Sequence, residues 1–205
     1  MRRPRDLPAV LGEVFAISDA AALGISAERM RRRDLTRPFR GIRAQAGVGR
    51  DVLGDLGDFA AQAMERTARA HAHAPRLRQR QFFSHETAAA LWGAPLPLVR
   101  DAEGNAVASG LPVHISVFGT MPLPRIEGVV GHRARIETST TRVIDGLDVS
   151  SPATTWASLG GLPLYDLVAV GDHLCRVWRE GIGRPNAGAP SIATRDELAA
   201  SIEAG

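Results

Sequence analysis

The sequence contains no lysine; all 25 of its basic residues are arginine. That excludes a Walker lysine, a Schiff base and the lysine-bearing carboxylate motif of restriction nucleases. It has one cysteine, Cys175, so neither an internal disulfide framework nor a multi-cysteine zinc site can form. No uninterrupted apolar run approaches the ~18 residues of a membrane span. The basic start, Met1 to Asp6, leads into a short apolar stretch broken by Glu13 and Asp19, which is unlike a secretory signal. A cytoplasmic protein with no membrane partner is expected. There is no internal repeat and no low-complexity tract. No Gly-x-Ser-x-Gly elbow is present, and Gly47-Val48-Gly49 and Gly181-Ile182-Gly183 lack the rest of a phosphate-binding fingerprint.

What is present is an asymmetry of charge. Residues 1–50 carry eleven arginines against five acids (Asp6, Glu13, Asp19, Glu28 and Asp34), a net +6. The rest of the chain carries fourteen arginines against seventeen acids, a net −3. A basic module on a mildly acidic body points to an anionic partner for the first fifty residues.

Leu7 to Phe15 has helical periodicity. Ser18 is placed to cap a helix that Gly24 ends, and Ser26 to cap a second helix over Ala27 to Leu35. Two short helices about a glycine turn outline a helix-turn-helix. Thr36 to Ala44 then reads as wing strand. At 100° per residue, Arg29, Arg32 and Arg33 share a face of the second helix, with Met30 turned inward. Arginine's planar fork suits guanine edges and phosphates. The expected DNA-binding residues are therefore Ser26, Arg29, Arg31, Arg32, Arg33, Arg37, Arg40 and Arg43. Arg31 is assigned to a phosphate, and Arg37, Arg40 and Arg43 to the wing.

Residues 45–57 read as loop and Asp58 to His73 as an alanine-rich helix with Phe59, Ala63, Met64 and Ala70 on one face. Gln79 to Phe83 reads as strand, and Ser84 to Gly93 as a helix capped by Ser84. Val113 to Val117 and Gly128 to Arg135 are strands. Asp145-Gly146 marks a hairpin between β-prone runs. Ser151-Pro152 starts a helix, Leu164 to Trp178 forms another, and residues 181–191 read as loop. Thr194 and Glu197 form a capping box for the last helix. Of the six histidines, His71 and His73 point to different helix faces, His85 lies in a first helical turn, and His173 stands beside Asp172. His114 and His132 lie on separate strands that folding could bring together. None shows the i, i+4 zinc spacing with a nearby glutamate. Neither a metal site, a cofactor nor a catalytic residue is expected, and Ser84 reads as a cap rather than a nucleophile. Cys175, Trp92, Trp156 and Trp178 are expected in the core.

The order of these segments resembles a known group. Ser18-Asp19-Ala20-Ala21-Ala22-Leu23-Gly24-Ile25-Ser26 with Arg37-Pro38-Phe39-Arg40-Gly41-Ile42, then Ser84-His85-Glu86-Thr87-Ala88-Ala89-Ala90-Leu91-Trp92-Gly93-Ala94-Pro95-Leu96-Pro97, resemble the actinobacterial relatives of the AbiEi antitoxins. Val113-His114-Ile115-Ser116-Val117, Gly131-His132-Arg133-Ala134-Arg135 and Asp145 to Thr155 follow in the same order. The resemblance implies a transcriptional regulator of a type IV toxin–antitoxin system, repressing its own operon by binding its operator DNA. It also implies action against a nucleotidyltransferase toxin, without necessarily touching it. The implied fold is α+β: an N-terminal winged helix-turn-helix (1–48), then a small α/β domain with a mostly antiparallel sheet and C-terminal helices (49–205). Such readers often bind paired half-sites as homodimers. Many chains of this group continue into a domain similar to very short patch repair endonucleases. The nuclease carboxylates of that domain have no counterpart here. The alternatives are the DNA-targeting portion of such an endonuclease, and a protein-interaction module that neutralises a toxin by contact.

Overall fold

A computed structural model describes residues 7–45, 57–178 and 188–203. The boundary expected at 48, most of the 45–57 loop, most of the 181–191 loop and both short glycine motifs lie outside them. Among the described residues, no helix is long and apolar enough to cross a membrane. The chain is α+β, with both helices and strands and two separate sheets.

The N-terminal module begins with a single 3-10 turn, Ala9–Leu11, followed by β1 (Val14–Ala16). The helix expected over Leu7 to Phe15 is thus corrected. Gly12 turns the chain at φ 65°, and Phe15 and Ala16 are buried from an extended strand instead. β1 runs without a loop into α1 (Ile17–Ala22), with the Ile17 N–H donating to the Gly41 carbonyl at 2.8 Å. Ala16 therefore occupies the cap position. Ser18 lies inside the first turn, bonded to Asp19, so its expected capping role is also corrected. β2 (Leu35–Thr36) and β3 (Ile42–Gln45) complete an antiparallel sheet with β3 in the middle.

The second helix of the expected pair does not form. Only one 3-10 turn, Arg29–Arg31, stands between α1 and β2, and Arg32 is already extended. Ser26 accepts the Arg29 N–H at 3.2 Å from outside that turn, whose cap position is Glu28 rather than Ser26. Met30 is buried, but the positions one helical turn later are Arg33 and Asp34. No second apolar anchor follows at helical spacing, and a short helix without packing is unstable.

The body is built on a five-stranded sheet in the order β6-β5-β4-β8-β7. Its strands are β4 (Gln81–Phe83), β5 (Val113–Phe118), β6 (Val129–Ala134), β7 (Thr141–Ile144) and β8 (Leu147–Ser150). Pairs β4–β5 and β7–β8 are antiparallel, while β5–β6 and β4–β8 are parallel. The expected mostly antiparallel sheet is corrected to an evenly mixed one. Residue alternation sets which face a strand buries; the path of the connection sets its direction. Residues 119–128 carry the chain back across the sheet, held where the Arg133 guanidinium donates to the carbonyls of Gly119 and Met121. The β7–β8 turn is as expected, with Asp145 at φ 49° and Gly146 at φ 79°, the positive pair that a type I′ turn requires.

α2 (Asp58–His73) matches its expected span, but not its expected face. Phe59 and Met64 are exposed, while Gln62, Arg66, Ala70 and His73 are buried. The polar residues turn inward because partners await them. The Gln62 amide donates to the Val99 and Val107 carbonyls at 2.7 and 3.1 Å and accepts the Val99 N–H at 3.0 Å. Behind the sheet follow α3 (His85–Leu91), α4 (Pro152–Ser158), α5 (Leu164–Cys175) and α6 (Arg195–Glu203). The helix expected to Trp178 ends at Cys175, since Arg176 is extended. Ser151 caps α4 by accepting the Thr154 N–H at 3.2 Å. Thr194 and Glu197 bond reciprocally before α6.

One apolar cluster joins the two sheets. Ala16, Phe39 and Ile42 pack with Ala70 and Ala72 of α2 and with Phe83, Val113, Ile115 and Val149 of the body. A second cluster, including Ala89, Leu159, Val170, Leu174 and Leu198, holds the helices together. Cys175 and Trp156 pack at its margin only partly buried, as does Trp92 at both clusters. Trp178 is also half-exposed, with the Arg176 guanidinium 5.0 Å from its ring centre. Placing all four in the core is thus corrected: Trp92, Trp156 and Cys175 pack only at cluster margins, and Trp178 lies beyond the end of α5.

Candidate functional site

The arginines of the N-terminal module divide by task. Arg31, Arg32, Arg33, Arg37 and Arg40 are exposed. Arg29 is half-buried, and its fork pairs with both carboxylate oxygens of Asp34 at 3.1 and 2.7 Å. Arg43 donates from Nε to the Met30 carbonyl at 2.6 Å and from Nη1 to the Ile42 carbonyl at 2.9 Å. Burial first, then the charge of Arg37, pulls Arg43 below its ordinary pKa. Arg43 thus ties the 3-10 turn to β3 and Arg29 ties it to Asp34 just before β2, and the shared helical face expected of Arg29, Arg32 and Arg33 does not arise. The loop between β2 and β3 also docks on the body. Phe39 is buried there, and Arg76 donates to the Arg40 carbonyl at 2.6 Å. Among the eight residues expected from sequence, five arginines remain as an outward-facing cationic set.

A second constellation brings together His114 and His132, whose separate strands allowed for it, and adds His85, which the sequence spacing does not point to. His85 opens α3, directly after β4. His114 lies on β5 and His132 on β6. In the parallel β5–β6 register His114 faces Val130, and Ser116 faces His132, so the two histidines are diagonal neighbours on one sheet face. His114 Nδ1 lies 2.9 Å from His132 Nε2. The His85 ring stacks on His132 with centres 3.6 Å apart. One ring nitrogen from each of the three lies within 4.8 Å of the others. Glu86 Oε2 is 3.3 Å from His114 Nδ1, yet it is buried and misaligned for a hydrogen bond.

Burial pulls all three imidazoles below their usual pKa. His85 falls to about 4, helped by the charges of His132 and His114 against the opposing pull of Glu86. His114 and His132 move the same way; at His114 the attraction of Glu86 opposes the burial and Arg66 adds to it, while at His132 the charge of His114 adds. Between uncharged rings the His114–His132 contact is an N–H···N hydrogen bond, one nitrogen donating and the other accepting. His85 also adopts φ 51°, a left-handed conformation that costs a side-chain-bearing residue of order 1 kcal/mol and gathers at functional sites.

The hydroxyl of Ser84 stands at the helix start but caps nothing, which corrects its expected role. It accepts from the Ser116 hydroxyl at 2.8 Å and lies 3.0 Å from His85 Nδ1. Ser84 is only 2% exposed, so no substrate reaches it as a nucleophile. It is the hydrogen-bond neighbour of the His85 ring. His114 is anchored in turn by its N–H, which donates to Thr87 Oγ1 at 2.9 Å.

Gly131 lets the 119–128 connection pack closely on β6, on the strand face opposite His132. A Cβ there would fall 2.9 Å from Pro124 Cδ and 3.1 Å from Leu123 Cβ. The proline ring has little room to yield, so Gly131→Ala is expected to lift β6 and cost about 1–3 kcal/mol. Urea denaturation checks this; an unchanged midpoint would show that the 119–128 connection gives way instead.

His71 is exposed on α2, and His73 is buried at its end. His173 Nε2 donates to the Trp92 carbonyl at 3.1 Å, tying α5 to the end of α3. None of these three joins the cluster. The signal that could have found the cluster was thin: a histidine at a helix start and one on each of two strands, with no local spacing rule. Comparison with models of known protein families, with curated proteins and with solved structures finds no match to this chain.

Proposed function

We propose that this chain is a sequence-specific DNA-binding transcriptional regulator of the type IV antitoxin kind, acting on its own operator. The observation that carries the reading is the exposure of Arg31, Arg32, Arg33, Arg37 and Arg40 on one small module. The element order of that module supports it: a helical turn, β1, α1, the Arg29–Arg31 turn, β2 and β3, with β3 between the other strands. That order is compatible with a winged helix whose second helix is shortened to one turn. Arg29 and Arg43 hold the turn and sheet in register, and the exposed arginines meet phosphates and base edges. Guanidinium groups on phosphates release counterions, so affinity falls steeply with salt.

The test is fluorescence anisotropy with the upstream DNA and a scrambled duplex, across a salt series. The intact chain is expected to prefer its own sequence. The variant Arg32→Ala/Arg33→Ala/Arg37→Ala is expected to lose about 10- to 100-fold in affinity and to flatten the log–log salt slope by about 3. Arg29→Ala is expected to act instead through stability, lowering the unfolding midpoint. Equal binding by the triple variant, or salt-independent binding by the intact chain, overturns the reading.

A further inference from the structure

We propose that His85, His114, His132 and Glu86 form a binding site for a divalent first-row transition-metal ion, with zinc as its reference occupant. Three observations on separate elements converge. The first is geometric. A tetrahedral zinc ion with bonds of about 2.0–2.1 Å keeps its ligand atoms ~3.3 Å apart. His114 Nδ1 stands 3.3 Å from Glu86 Oε2 and 2.9 Å from His132 Nε2. Both edges meet at His114 Nδ1, and one ring nitrogen from each histidine lies within 4.8 Å of the others. The His114–His132 edge needs to open by only a few tenths of an ångström.

The second observation is the unmatched carboxylate. Glu86 Oε2 is buried and accepts no hydrogen bond among the described residues. A buried carboxylate oxygen without a donor is costly. A cation beside it removes that cost. The buried Arg66 guanidinium lies near enough for its charge to act on Glu86, but it leaves Oε2 unbonded.

The third is the ligand chemistry. Imidazole with one carboxylate suits zinc, nickel, cobalt and iron(II), rather than calcium or magnesium, which take oxygen ligands. His85 completes the set from the start of α3. It lies stacked on His132, so its ring turns about χ2 to aim a nitrogen at the ion. The Ser84 hydroxyl at Nδ1 favours the other ring nitrogen, Nε2, as the ligand. Bound this way, the ion ties α3, β5 and β6 together at one end of the sheet. Three histidines and a glutamate would fill all four positions, so the ion serves as a structural clasp.

The experiment uses the full chain, stripped with a chelator and titrated with Zn2+ against a chromophoric competitor. The same titration with Co2+ reads the visible absorption of the bound ion. One ion per chain is expected. Because His132 and Glu86 are only partly buried, His132→Gln and Glu86→Gln are the variants least harmful to folding, which circular dichroism checks. Each is expected to weaken binding by about 10- to 100-fold. Saturating Zn2+ is expected to raise the Tm of the stripped protein, and to do so less in either variant. His71→Gln and His173→Gln are expected to bind as the unaltered chain does. Failure of the stripped chain to take up an ion at micromolar Zn2+ overturns the proposal. So does full-affinity binding by both His132→Gln and Glu86→Gln.

Discussion

Phe39→Ala is expected to cost about 3–5 kcal/mol of unfolding free energy, a large share of the ~5–15 kcal/mol that holds a domain folded. Phe39 is 4% exposed and sits where the loop between β2 and β3 meets the body. The Arg69 guanidinium lies 4.6 Å from its ring centre, and His73 meets the ring edge-on at 5.0 Å. Loss of the ring leaves a cavity among Ile42, Ala70 and Ala72, and removes a partly desolvated cation–π contact worth ~1 kcal/mol. Phe39→Leu keeps most of the apolar volume and is expected to lose about half as much.

The three tryptophans, Trp92, Trp156 and Trp178, all lie in the body. Their fluorescence therefore reports on the body, while far-ultraviolet circular dichroism reports on the whole chain. If the shared cluster makes the chain one cooperative unit, both signals shift together in Phe39→Ala. A tryptophan transition left in place while the dichroism signal splits would mean that the N-terminal module unfolds alone, and that the contact through Phe39 carries little energy.

Much of this architecture is legible in the residues. The Ser151-Pro152 helix start, the Asp145-Gly146 turn and the Thr194–Glu197 box act over a few residues, so their outcomes follow from local chemistry, whereas the caps expected of Ser18 and Ser84 do not form. Asp58 to His73 is long and rich in strong helix formers, and Pro75 limits it; its span follows too. Its buried face does not, because Gln62 turns inward to reach backbone groups 37 and 45 residues away. The arginine segment misleads for a related reason. Its 100° spacing has meaning only if a helix forms, and one buried methionine cannot hold one. The histidine cluster is hidden by the same distance. His85 and His132 meet only because β6 lies parallel to β5, and no strand pattern specifies that direction. The exposed arginines were legible as a basic module, whereas the roles of Arg29 and Arg43 depended on where Asp34 and the Met30 carbonyl came to lie.

Acid is expected to weaken the fold through His73, by up to ~3 kcal/mol between pH 6.5 and pH 4. This side chain is 1% exposed, its Nδ1 has no hydrogen-bond partner among the described residues, and it lies against Phe39. Burial, then the charges of Arg76 and Arg69, lowers its pKa from 6.5 to about 4. In the unfolded chain the imidazole is free of all three, and takes a proton near pH 6.5. Between the two values the unfolded state holds a proton that the folded state refuses. The stabilisation from keeping His73 neutral is therefore complete above pH 6.5. It declines as pH falls and is gone below about 4. His85, His114 and His132 are shifted in the same direction, so the stability of the metal-free chain falls further over the same window. Urea midpoints measured from pH 7.5 to 4.5 are expected to fall continuously. His73→Gln removes one titrating group while keeping an amide that can hydrogen-bond, and is expected to flatten that slope by up to one proton. A midpoint independent of pH across this range would show that the histidines titrate alike in the folded and unfolded chains. Equal slopes in His73→Gln and the unaltered chain would place the whole effect in the three-histidine cluster, where Zn2+ is then expected to steepen the loss of stability on acidification, since each ligand must shed its proton for the ion to stay bound.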